Sequence, residues 1–211
     1  MKKNIYLFST SAHPDAININ SLDVKPLKPS IDFSKYDYFI ITSKQAVKSL
    51  QQYDKSEYLS KKALCVSVMT AKSYEEAGGG VLEIGAGYGD KLVDKIKNYP
   101  KSTKWLYLRA KAVASDFVEV CKRDGFDIDE AVVYQSVCSQ EILEVKVQND
   151  AILIFTSPSS LNCFLKTNAI SPNNKVIAIG DTTAKAIPQN VRHIVSSQTS
   201  IQGCVELALD L

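Results

Sequence analysis

Two stretches of this chain, 114 residues apart, are written in the same pattern. Tyr38-Phe39-Ile40-Ile41-Thr42-Ser43 runs on into Ala46-Val47 and Leu50, and Ile152-Leu153-Ile154-Phe155-Thr156-Ser157 runs on into Ser160-Leu161 and Phe164. Then Cys65-Val66-Ser67 with Thr70-Ala71-Lys72 is answered 113 residues later by Ala178-Ile179-Gly180 with Thr183-Ala184-Lys185. At that offset Val81 falls on Ile194, Leu92 on Val205 and Ile96 on Leu209. Three matches in order at nearly one offset mark a duplicated βαβαβα unit, and therefore two domains of one architecture.

The unit is built from short apolar runs at residues 5–8, 38–41, 64–68, 81–84, 105–108, 131–133, 151–155, 176–179 and 194–195. Most are continuous rather than alternating, as strands of a parallel sheet covered on both faces should be. Segments of helical period lie between them, such as Ala46-Val47-Leu50 and Phe117-Val118-Val120-Cys121. Alternating strands and helices predict an α/β protein with parallel sheets. The chain's 211 residues are enough for two small domains with separate cores.

Composition removes several function classes. No run of 18 apolar residues exists, and the apolar core after Met1-Lys2-Lys3 is too short for a signal peptide, so a cytoplasmic location is expected. Cys65, Cys121, Cys138, Cys163 and Cys204 form no CxxC pair. They read as small core residues rather than as a zinc site or a disulfide framework. His13 and His193 have no metal-ligand spacing, and a net charge of +2 is too weak to suggest nucleic acid.

One motif points elsewhere. Val81-Leu82-Glu83-Ile84-Gly85-Ala86-Gly87-Tyr88-Gly89 looks like the strand and glycine turn of an S-adenosylmethionine-dependent methyltransferase. Its partner in the second copy, residues 196–203, has no glycine-rich loop. A ribose-binding acid should also end the next strand. That strand, Trp105-Leu106-Tyr107-Leu108, ends instead in Arg109. The expectation is a permissive turn before a helix, with the methyltransferase as the alternative.

The ordered set of pieces resembles the uroporphyrinogen-III synthase family over nearly the full chain. The pieces are Thr42-Ser43 with Ala46-Val47, then Leu106-Tyr107-Leu108-Arg109, Gly125, and Val132-Val133-Tyr134-Gln135-Ser136. The C-terminal half adds Phe155-Thr156-Ser157-Pro158-Ser159, Ala178-Ile179-Gly180-Asp181-Thr182-Thr183-Ala184-Lys185-Ala186 and Ser200-Ile201-Gln202-Gly203. Asp181 stands where the family usually has proline, and Lys44-Gln45 where it often has arginine or asparagine.

The resemblance implies two flavodoxin-like domains, each a parallel sheet of about five strands flanked by helices, joined by two extended linkers with a cleft between. Residues 1–30 with 138–211 would form one domain and 35–133 the other. The linkers would lie at about 31–34 and 134–137, the first preceded by Pro26 and Pro29, which forbid helix and stiffen a crossing. The implied reaction closes hydroxymethylbilane, a linear tetrapyrrole with eight carboxylates, to uroporphyrinogen III. Water is lost and the last ring is inverted through a spiro intermediate. This is chiefly a positioning task. The resemblance implies no cofactor, no metal, no nucleic-acid or membrane partner, and a monomer.

Ligands of open α/β sheets bind beyond the carboxyl ends of the strands. There the sequence places Thr42, Ser43, Thr70, Ser157, Ser159, Thr182 and Thr183, hydroxyl residues that could cap helices or hold substrate carboxylates. Arg109 and Lys185 are weaker carboxylate contacts. Tyr134 matches the tyrosine of the family's Val-Tyr motif, which implies that it assists departure of the hydroxyl group. A two-lobed anion-binding protein without activity is the remaining alternative.

Overall fold

The computed structural model describes residues 4–113 and 115–211. The strands are β1 (Ile5–Ser9), β2 (Ile17–Asn20), β3 (Leu22–Pro26), β4 (Tyr38–Ile41), β5 (Lys62–Cys65), β6 (Gly80–Ile84), β7 (Lys104–Ala110), β8 (Asp127–Cys138), β9 (Ile152–Phe155), β10 (Lys175–Ala178) and β11 (His193–Val195). The helices are α1 (Lys44–Leu50), α2 (Lys55–Tyr58), α3 (Val68–Glu76), α4 (Leu92–Ile96), α5 (Phe117–Arg123), α6 (Gln140–Glu144), α7 (Pro158–Phe164), α8 (Asp181–Ala184) and α9 (Ile201–Leu209). They form two compact units, one of residues up to Asp23 with Val137–Leu211, the other of Val24–Ser136.

The first unit holds a five-stranded sheet ordered β11-β10-β9-β1-β2, every neighbour parallel. Its central strands β1 and β9 are buried along their whole length, which explains their unbroken apolar sequence. On one face Phe8 lies 4.8 Å from Phe155 and 4.9 Å from Phe164, centroid to centroid. On the other, Leu7, Ile154 and Ile177 pack with Cys204, Val205 and Ala208 of α9.

The second unit holds a six-stranded sheet ordered β3-β8-β7-β4-β5-β6. From β4 to β8 all strands run parallel. Trp105 anchors one face, with Tyr38 and Tyr99 rings 5.3 and 5.2 Å away. The other face buries Phe39, Tyr58 and Tyr74.

Serine governs most of the turns from strand to helix. Ser43, Ser67, Ser157 and Ser200 stand in extended backbone, and each hydroxyl accepts an N–H from the first turn of α1, α3, α7 and α9 in turn. At Ser157 the cap is reciprocal with Ser160, and Pro158 occupies the first helical position. Two expected caps lie elsewhere. Ser67, not Thr70, caps α3, and α8 starts from Gly180 with Thr182 and Thr183 inside it.

The sequence reading missed β2 and β3. Both are edge strands with little burial, so Ile17-Asn18-Ile19-Asn20 and Leu22-Asp23-Val24-Lys25-Pro26 carry polar residues that hide the strand pattern. The chain passes between the units within β3 and again within β8. Residues 24–30, expected in the first domain, lie with the second unit. Leu27 N–H donates to Val133 O, and the Tyr53 hydroxyl donates to Pro29 O. Pro26 is tolerated because it ends an edge strand, where a missing N–H costs little.

The expectation that all cysteines are free is corrected for two of them. Cys138 and Cys163 are joined in a disulfide across a sequence separation of 25, with Cα atoms 5.4 Å apart. Sequence spacing could not reveal it, because the pair meets only when α7 packs back beside the end of β8. Cys65, Cys121 and Cys204 are free and buried. A loop of this size should stabilise the fold by about 3 kcal/mol in the chain-entropy account. Urea unfolding with and without dithiothreitol should therefore show a clear drop in midpoint on reduction, and Cys138→Ser should show the same drop without reductant. Equal midpoints would mean that the bridge contributes nothing.

Candidate active site

The carboxyl ends of β4, β5, β6 and β7 converge on one pocket of about 260 Å³ within the second unit, and β8 contributes one residue from within the strand. Thr42 and Ser43 follow β4, Val66 follows β5, Gly87 and Gly89 follow β6, Tyr107 lies on β7, and Tyr134 lies on β8. Phe117, the first residue of α5, closes the side beneath Tyr107, its ring 5.0 Å away and edge-on.

Five hydroxyl-bearing side chains, Thr42, Ser43, Tyr107, Ser115 and Tyr134, define the polar part. The Thr42 and Tyr107 hydroxyl oxygens are 3.0 Å apart and hydrogen-bonded. Ser43 Oγ accepts from Gln45 N–H at 3.1 Å, which leaves its own proton to donate. The Tyr134 hydroxyl takes no partner among the described residues, although its residue is only 9 % exposed. Burial holds the Tyr107 phenol above its ordinary range, with the Thr42 hydrogen bond working the other way and Tyr134 adding to the rise. Because an unperturbed tyrosine already titrates near ~10, the Tyr107 phenol is protonated at neutral pH.

The glycine turn forms one wall of this pocket, for reasons of backbone geometry. Gly85 N–H donates to Cys65 O and Gly87 N–H to Val66 O, so the turn is tied to β5. Gly87 has φ +95°, which an L side chain adopts only with strain. A Cβ on Gly85 would lie 2.8 Å from Leu92 Cδ2 and 2.9 Å from Val66 O. At Gly89 it would meet Ser115 at 2.8 Å, and the Ser115 hydroxyl in turn donates to Asp90.

The remaining sequence-nominated residues are placed differently. Arg109 forms an ion pair with Glu130, Nε to Oε2 at 2.6 Å, and donates to the carbonyls of Ala110 and Lys111. Its charge is thus engaged within the protein. Thr70 is buried, its hydroxyl 3.2 Å from Ser67 Oγ, and lies outside the pocket lining. Ser157, Ser159, Thr182 and Thr183 belong to the first unit, where Ser157 is occupied by its cap and Thr183 is buried.

The family model for uroporphyrinogen-III synthase HemD matches residues 14–206. The chain belongs to the uroporphyrinogen-III synthase family. Its fold is similar to the crystal structure of uroporphyrinogen-III synthetase from Helicobacter pylori 26695, with a TM-score of 0.76, 26 % identity and 99 % of each chain covered. A mutant uroporphyrinogen III synthase from the extremely thermophilic bacterium Thermus thermophilus shares the fold at a TM-score of 0.52 and 12 % identity, covering 98 % of this chain and 97 % of that one. A search of curated protein sequences found no match.

Of the residues nominated from sequence, Thr42, Ser43 and Tyr134 come together in one pocket. Tyr107, which also lines this pocket, was not nominated from sequence. It reads as one more apolar position of β7, and only the pairing of β7 with β4 shows that its hydroxyl reaches Thr42. The close approach of the glycine turn is testable on the fold itself. Gly87→Ala adds a methyl group to open space and should cost about 1–2 kcal/mol through backbone strain alone. Gly85→Ala must also displace a backbone carbonyl and should cost more. Urea denaturation gives the order, and calorimetry should find no S-adenosylmethionine binding by wild type. The reverse order of stabilities would refute this account of the turn.

Proposed function

We propose that this chain is the cyclising hydro-lyase of heme biosynthesis that converts hydroxymethylbilane to uroporphyrinogen III. The observation that carries the reading is the unpartnered Tyr134 hydroxyl in a pocket shared with Thr42 and Ser43, in a chain of this family. The pocket is smaller than the ~300–1,000 Å³ that encloses a drug-sized ligand, so it suits one substituted ring rather than the four-ring chain.

In this reading the lone pair of the terminal pyrrole nitrogen expels the hydroxyl group, and Tyr134 donates to the departing oxygen so that it leaves as water. The proton released from carbon on ring closure balances the one taken up by the hydroxide. Thr42 and Ser43 hold a carboxylate of the ring and fix which carbon meets the electrophilic end. Spontaneous closure gives the uninverted isomer, so this placement, worth about 7 kcal/mol of barrier in favourable cases, is what the protein adds. Lys44, Lys91 and Lys111 adjoin the lining in sequence, are exposed, and form no ion pair among the described residues. Lys44 also opens α1, where a cation opposes the helix dipole, a position that an incoming carboxylate would relieve.

Tyr134→Phe tests the assignment, since it keeps the ring and removes the donor. Turnover of fresh hydroxymethylbilane, corrected for spontaneous closure, should fall by about 10²-fold or somewhat less, because water replaces part of a lost donor. The thermal midpoint should hardly move, and the product should stay isomer III. An unchanged rate removes Tyr134 from catalysis. A slowed enzyme that makes mostly isomer I assigns it to substrate placement instead.

A further inference from the structure

We propose that Tyr107 is a positioning residue of this site, one that turns the Thr42 hydroxyl outward as a hydrogen-bond donor to a carboxylate of the substrate. The inference rests on the activity proposed above and adds a residue to it. Tyr107 pairs with Ile40 across β7 and β4, and its side chain reaches the edge where Thr42 leaves β4. The residue is 4 % exposed, and the edge-on contact with Phe117 restrains the ring.

The direction of the hydrogen bond follows from acidity. A phenol is a better donor than an aliphatic alcohol, and its oxygen is a poorer acceptor because a lone pair is shared with the ring. Burial keeps the phenol protonated. Tyr107 therefore donates to Thr42 Oγ1. The Thr42 proton is then left without an acceptor among the described residues, on a side chain that lines the pocket. An alcohol held in this way meets an anion with its proton already directed, so binding does not have to reorient it. The expected ligand group is a carboxylate, because the Thr42 hydroxyl has a donor to offer and its acceptor side is already taken.

Tyr107→Phe keeps the ring against Phe117 and removes only the hydroxyl. In steady-state assays with hydroxymethylbilane, KM should rise roughly five- to tenfold, with kcat within about threefold of wild type and an unchanged thermal midpoint. Thr42→Val should raise KM at least as much. The double variant should be no worse than Thr42→Val alone, because Tyr107 acts through Thr42. A KM unchanged in Tyr107→Phe, or effects that multiply in the double variant, overturn the proposal. So does a fall in kcat at constant KM, which would put the phenol on the reacting atoms. Wild-type protein that yields no uroporphyrinogen III refutes the activity itself and this role with it, an outcome distinct from an active wild type with an indifferent Tyr107→Phe.

Discussion

Strands β4 to β8 all point the same way, and the site depends on that constraint. Parallel strands deliver their carboxyl ends to a single edge, so four turns that are distant in sequence become neighbours. Each turn must end a strand and start a helix or bend within a few residues, which favours small residues and hydroxyl caps. Thr42-Ser43 and the glycine turn are two answers to that local problem. Their convergence around Tyr107 and Tyr134 is supplied by the sheet. The chemistry of the pocket is thus a consequence of strand direction before it is a consequence of any one side chain.

Legibility followed burial. β1, β4, β7 and β9 are covered on both faces, so their sequences are unbroken apolar runs and the duplication could be seen through them. β2 and β3 are edges, and the very polarity that protects an edge from pairing further erased the signal. The first unit crossing was misplaced by several residues for the same reason, since a proline in an edge strand and a proline in a linker look alike. The Cys138–Cys163 bridge was invisible because it depends on tertiary packing of α7 and not on spacing.

The site was legible in part. Thr42 and Ser43 sit where a strand ends, a place that sequence can locate, whereas Tyr134 lies within β8 and was marked by the family motif alone. Nor does Tyr107 sit at a strand end, since its residue belongs to the buried body of β7 and only the length of a tyrosine carries its hydroxyl to the edge. Arg109 shows the opposite error. Its position at a strand end suggested a ligand contact, but Glu130 on the adjacent β8 takes the guanidinium. Strand-end position predicts access to the edge and says nothing about which charge is already engaged across the sheet.

The glycine turn explains why a methyltransferase-like sequence arises on a different protein. Gly85 is required by Val66 O and Leu92, Gly87 by its positive φ, and Gly89 by the closeness of Ser115. None of these reasons involves a nucleotide. The two N–H groups of Gly85 and Gly87 donate to carbonyls at the end of β5. Any chain that must fold back over the edge of a parallel sheet, close enough to wall a pocket, meets the same steric demands. Spaced glycines after a buried strand therefore report a tight return over a sheet edge. What occupies the pocket beside it is decided by the groups facing in, here two phenols and three alcohols, a set able to donate hydrogen bonds.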